Sequence, residues 1–125
     1  MAESKNKALE IARTYFKAMA SKDVPTIMSV TANNVVCNSP IGQLEGAPAF
    51  RGFQEGFARM IKKLTLIAAF GDDKNAIIIY DANTHPVPSA IVAELLLIKN
   101  GKIASTRVIY DATPFASFMA AMPQH

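Results

Sequence analysis

The second half of the chain places the tightest constraint on its fold. Residues 64–70, 76–83, 89–99 and 102–112 are β-branched or aliphatic runs, separated by Gly71-Asp72-Asp73, by His85-Pro86-Val87-Pro88 and by Asn100-Gly101. Apolar runs bounded by turn residues read as strands. Asn-Gly between two of them signals a tight hairpin. With nothing helical in between, consecutive strands are expected to form a mainly antiparallel sheet.

The first half carries the other periodicity. Over residues 4–20, Leu9, Ala12, Tyr15, Phe16 and Met19 share one helical face, while Lys7, Glu10, Arg13 and Lys17 fall largely on the other. Asp23 can cap a short second helix over 24–30, with Pro25 in the first turn, where a missing N–H matters little. Residues 35–38 read as a short strand. Gly46 opens a third helix, running to about Lys63, in which Phe50, Phe53, Phe57, Met60 and Ile61 recur at spacings of three and four, while Arg51, Glu55 and Arg59 can pair outside. Such an aromatic stripe is core material, and part of it also serves as wall if the core holds a cavity. Helices first and strands afterwards imply an α+β domain, with the helices covering the concave face of the sheet.

With 125 residues, half of them hydrophobic, the chain suits a single domain over 1–125 with a real core. The polar start and the lack of an apolar run of membrane-spanning length imply a cytoplasmic protein with no membrane partner. One cysteine, Cys37, excludes an internal disulfide and offers no zinc ligand set; it reads as a small apolar side chain in a strand. Net charge is +3, but the cations are scattered and only Lys62-Lys63 are adjacent, which argues against a nucleic-acid partner. Asp72-Asp73 read as hairpin residues and His85 as a solvated loop histidine or part of a lid. No metal and no cofactor are expected.

Glu94 is the one charge inside Ser89-Ala-Ile-Val-Ala-Glu-Leu-Leu-Leu-Ile98. An ionised carboxylate in apolar surroundings is costly unless paired, so the group neutralises by raising its pKa or belongs to a working site. Two placements follow from strand alternation. Either Glu94 faces the concave side and a pocket, or it lies on the outer face beside a cation such as Arg107. The same alternation puts Arg107, Ile109 and Asp111 on one face and Thr106, Val108 and Tyr110 on the other.

The order of elements resembles the cone-shaped, cystatin-like nuclear transport factor 2-like fold, in particular its ketosteroid isomerase and SnoaL-like polyketide cyclase branches. The carriers are Tyr15-Phe-Lys-Ala-Met-Ala-Ser-Lys-Asp23, Ser39-Pro40-Ile41-Gly42, the Gly46 to Phe53 stretch, and Ala93-Glu94-Leu-Leu-Leu-Ile-Lys-Asn-Gly-Lys-Ile103. By position, Tyr15 matches the tyrosine and Glu94 the protonated acid of the isomerase oxyanion hole. Ser39 stands where those isomerases carry their aspartate base, and neither it nor Asn38 can serve as that base unaided. Asp111 resembles the late aspartate of some cyclase-like relatives, and Tyr110 matches an aromatic of the isomerase pocket.

The resemblance implies a homodimer through the outer sheet face and an apolar pocket for a small hydrophobic carbonyl or hydroxyl compound. Tyr15, Glu94 and Asp111 are the catalytic candidates; Phe16, Met19, Asn38, Ser39, Phe53, Phe57 and Tyr110 are the pocket candidates. Two classes stay open: an isomerase, cyclase or dehydratase with a non-standard base, and a non-catalytic binding or structural domain. The tail, residues 113–122, is apolar enough to cover the pocket mouth.

Overall fold

The computed structural model describes residues 6–115. Helices α1 (Lys7–Ala20) and α2 (Val24–Ser29) come first, then strands β1 (Thr31–Ser39) and β2 (Gly42–Glu45), helix α3 (Ala47–Met60), and strands β3 (Ile61–Gly71), β4 (Asn75–Thr84), β5 (Ala90–Lys99) and β6 (Lys102–Ile109). The strands form one open sheet in the order β2-β1-β6-β5-β4-β3. Only the β1–β6 pair is parallel. Register shifts within the β3–β4 and β1–β6 pairs bend the sheet, as bulges do. This is the α+β, mainly antiparallel cone that the sequence implies.

Local chemistry accounts for the punctuation. Asn100 and Gly101 both take positive φ, 53° and 75°, the pairing that a two-residue hairpin between right-twisted strands requires. Asp23 caps α2: its Oδ1 accepts from the Thr26 amide at 3.1 Å. Helix α1 ends in a left-handed residue, Lys22 at φ 62°, with the Lys22 amide donating to the Met19 carbonyl and the Asp23 amide to Ala18. That is a Schellman closure built without its usual glycine.

The structure moves several boundaries. Helix α3 stops at Met60, and Ile61 already belongs to β3, three residues before the strand expected from Leu64. Strand β1 spans nine residues rather than four, because it finds a parallel partner in the last strand, a pairing that no local pattern announces. Strand β2 is short and mostly exposed, so it has no apolar alternation to reveal it. The last strand ends at Ile109 rather than Ala112.

Strand alternation sorts the sheet into two faces. Ile78, Tyr80, Ala82, Val92, Glu94, Leu96, Thr106 and Val108 are buried on the concave side. Against it lies the apolar face of α1, with Ala8, Ala12, Tyr15, Phe16 and Met19 all buried. Helix α3 closes the other end less tightly: Phe50 and Gln54 are buried, whereas Phe53 and Phe57 are half-buried. That looser packing leaves an opening.

Candidate functional site

Between α3 and the wide end of the sheet is a cavity of about 550 Å³. Met19 of α1, Phe53 and Phe57 of α3, Tyr80 of β4, Val92 and Glu94 of β5, and Val108 of β6 all contribute to its wall, which is largely apolar. Two glycines one helical turn apart, Gly52 and Gly56, make room along α3. A Cβ built on Gly52 would meet no heavy atom within 4 Å. Phe53 and Phe57 stack on each other at 6.5 Å between ring centres, and Tyr110 holds Phe115 edge-on at 5.6 Å.

Glu94 is 2% exposed and faces this cavity. The alternative beside Arg107 is ruled out by register: Glu94 lies opposite Ile78 and Val108, while Arg107 lies opposite Leu95 on the convex side. No cation pairs with Glu94 among the described residues. Its partners are tyrosines. The Tyr15 hydroxyl donates to Oε1 at 2.7 Å, and the Tyr80 hydroxyl donates to Oε2. Gln54 Nε2 in turn donates to the Tyr15 oxygen at 3.0 Å. The four side chains form one buried chain from α3 through α1 to β5 and β4.

Burial pushes the Glu94 pKa up from the ordinary 4.5, and the two tyrosine hydrogen bonds only partly offset this. Tyr15 and Tyr80 are both held well above the usual tyrosine range, first by burial and then by the neighbouring carboxylate. Proton counting then restricts what the group can do. With Glu94 ionised, both tyrosine hydrogens are committed to it. With Glu94 protonated, its own O–H can donate to the Tyr80 oxygen, which frees the Tyr80 hydrogen to turn into the cavity.

The remaining sequence candidates scatter. Tyr15 does not line the cavity but stands behind Glu94, and Phe16 packs behind Tyr80 with ring centres 5.5 Å apart. Met19, Phe53, Phe57 and Tyr110 do line it. Asn38 and Ser39 are half-buried near the β1–β2 turn and do not; Ser39 Oγ accepts from the Ile41 amide and donates to the Gly42 carbonyl, both at 3.3 Å. Asp111 is exposed and outside the cavity, its Oδ1 accepting from the Thr113 amide at 2.9 Å. Those turn hydrogen bonds pull its pKa down. Its parity is the reason: Tyr110 takes the inward position, so Asp111 turns out. Of the tail expected over the mouth, Phe115 lines the cavity and residues 116–122 lie outside the described residues.

Two members of the hydrogen-bonded chain escape the sequence reading. Tyr80 sits in an alternating strand whose parity marks it as inward, a signal that was available. Gln54 sits in a helix face of mixed polarity, and nothing local distinguishes it. Among the described residues no group of three potential metal ligands comes together, and no helix is long and apolar enough to cross a membrane.

The model of the SnoaL-like domain matches residues 12–106. The chain belongs to this family. Among solved structures, this SnoaL-like protein is similar to that of a protein from Kribbella flavida at 40% identity, covering 91% of this chain and 94% of that one with a TM-score of 0.86. It also resembles an NTF2-like protein of unknown function from Cytophaga hutchinsonii at 20% identity, over 93% and 99% of the two chains, TM-score 0.76. A provisionally named ketosteroid isomerase from Kribbella flavida matches at 14% identity, over 84% and 78%, with a TM-score of 0.76. Likeness at the two lower identities establishes the fold alone. Among curated proteins, nothing matches the chain. The nuclear transport factor 2-like class that the sequence resembles is therefore the class to which this fold belongs.

Proposed function

We propose that this SnoaL-like protein takes a small, largely apolar carbonyl or hydroxyl compound into the cavity and that Glu94 exchanges a proton with it. One observation carries the reading: a buried carboxyl with no cation beside it among the described residues faces an apolar cavity and is held by two tyrosine hydroxyls. An ionised Glu94 can remove a proton from the carbon next to a bound carbonyl, and the C–H electrons move onto the carbonyl oxygen. Glu94 then holds the proton and turns it to Tyr80, and the released Tyr80 hydrogen stabilises the enolate oxygen. Return of the proton to the same or a conjugated carbon completes an exchange or an isomerisation. Base and oxyanion donor are thus one coupled pair, which makes an aspartate at the Ser39 position unnecessary.

A non-catalytic carrier is the second reading, favoured by the placement of Ser39 in a turn away from the cavity. Deuterium uptake at the carbon beside the carbonyl of bound 1-tetralone separates the two. Uptake that disappears in Glu94→Gln supports proton exchange; binding without uptake supports the carrier; absence of binding removes both. A second copy of this chain is the partner we propose for the convex face, where Phe70, Ile91, Leu95 and Ile109 are 64%, 55%, 44% and 53% exposed. Light scattering of the native protein and of Leu95→Glu tests it, a monomeric native protein being the contrary result.

A further inference from the structure

The cavity is apolar along its length and polar at both ends. At the inner end are Tyr80 and Glu94, both buried; at the solvent end are Arg59 and His85, both exposed. Among the described residues Glu94 is the only carboxylate in the lining, so none of them at the outer end neutralises a cation.

One backbone contact ties the elements that carry this outer pair. Arg59 lies in the last turn of α3, and the His85 amide donates to the carbonyl of the next residue, Met60, at 2.9 Å, which ties the β4–β5 connection to the helix end. The Arg59 side chain also folds back along its helix: a Cβ built on Gly56 would stand 3.9 Å from Nη2. Gly56 and Arg59 both line the cavity, so the guanidinium stands beside its wall. Arg51, two turns earlier, has Glu55 as partner at 3.2 Å, whereas Arg59 has no carboxylate partner among the described residues. Exposed Lys62 and Lys63 follow directly and add to the positive field at this end.

The geometry points to an amphipathic ligand: an apolar body, a hydroxyl or carbonyl at the Tyr80–Glu94 end, and a carboxylate at the mouth on Arg59 with His85 beside it. The guanidinium fork matches either a carboxylate or a phosphate two-on-two, and charge favours the carboxylate, because a single fork leaves a dianion incompletely neutralised. This assignment rests on the pocket reading above and narrows its substrate class to hydrophobic oxo- or hydroxy-acids.

The test uses matched probes of two lengths, titrated calorimetrically at low salt. They are 2-naphthol against 6-hydroxy-2-naphthoate, and 4-phenylphenol against 4′-hydroxybiphenyl-4-carboxylate. In at least one pair the carboxylate should bind about three- to tenfold tighter, the range that spans exposed and partly shielded charge pairs. Arg59→Gln should erase the difference within that pair, Arg59→Lys should keep part of it, and added salt should shrink it. Phenols that bind while neither carboxylate gains overturn the anion assignment and leave the pocket standing. A gain that survives Arg59→Gln overturns it too, since the anion is then read elsewhere. If no probe binds, the pocket reading falls and takes this inference with it.

Discussion

Tyr80 and Glu94 are diagonal neighbours on adjacent antiparallel strands, with Tyr80 opposite Val92 and Glu94 opposite Ile78, so both side chains reach the concave face and meet there. The contact joins the only buried carboxylate of the described residues to the only one of its tyrosine partners that also borders the cavity. Two expectations follow from this pair, and two more from Thr106 and Lys22 elsewhere in the fold.

The first concerns pH. Burial raises the folded-state pKa of Glu94 above 4.5, so between 4.5 and that raised value the folded chain keeps a proton that the unfolded chain has released. Unfolding then releases a proton, and stability falls as pH rises across this window. The contribution is complete below 4.5 and is lost as pH climbs through the folded value. Urea unfolding of wild type and Glu94→Gln from pH 4 to 8 should show a declining difference between the two, with wild type losing ground as pH increases. A constant difference would contradict a raised pKa.

The two tyrosines should separate into binding and folding roles. Tyr80→Phe removes the hydroxyl that can turn into the cavity and should weaken 2-naphthol binding about tenfold. Tyr15→Phe leaves Gln54 Nε2 without its acceptor and should lower stability by about 1–3 kcal/mol, with the smaller effect on binding. Both should raise the Glu94 pKa further, because each hydrogen bond now lowers it. Calorimetric titration and carboxyl NMR of the two variants check the split; equal binding losses would refute it.

Thr106 is 1% exposed on β6, and its hydroxyl oxygen has no hydrogen-bond partner beyond a weak contact with the Cys37 thiol opposite it. Replacing it with valine keeps the shape and removes a buried polar group, so Thr106→Val should stabilise by about 1 kcal/mol. The unfolding midpoint in urea reads this directly. A loss of stability would mean that the hydroxyl is satisfied, for instance by the thiol of Cys37 opposite it in the β1–β6 pair.

Lys22 holds a left-handed backbone, φ 62°, at the end of α1. A side chain there costs about 1–2 kcal/mol that glycine avoids, partly offset by the greater freedom of glycine in the unfolded chain. Lys22→Gly should therefore raise stability by roughly 0.5–1 kcal/mol with the α1 closure intact. Thermal unfolding checks the sign, and a fall would show that the offset dominates.

Much of this architecture is written in short-range pattern. The alternation of 102–112 already separates Tyr110 from Asp111 before any partner strand is known, and the structure places them on the inward and outward sides as that parity requires. Asn100-Gly101 and Asp23 mark their turn and cap by residue type alone. Phe53 and Phe57 are legible as wall candidates because they recur on one helical face. Gln54 is not, since a single polar residue beside that stripe looks like solvent-facing surface until Tyr15 arrives from another helix.

The sequence by itself determined the order of helices and strands apart from β2, the Asn100-Gly101 hairpin and the anomaly of a lone carboxyl at Glu94, because each depends on periodicity or on the conformational limits of one or two residues. Tertiary structure alone decided which face of β5 is concave, that β1 lies parallel to β6, and that Tyr15, Gln54 and Tyr80 converge on Glu94. The same holds for the presence of Arg59 and His85 in the wall of one cavity. Those relationships join residues distant in the chain, and they exist only once sheet curvature and helix packing have fixed where each backbone runs.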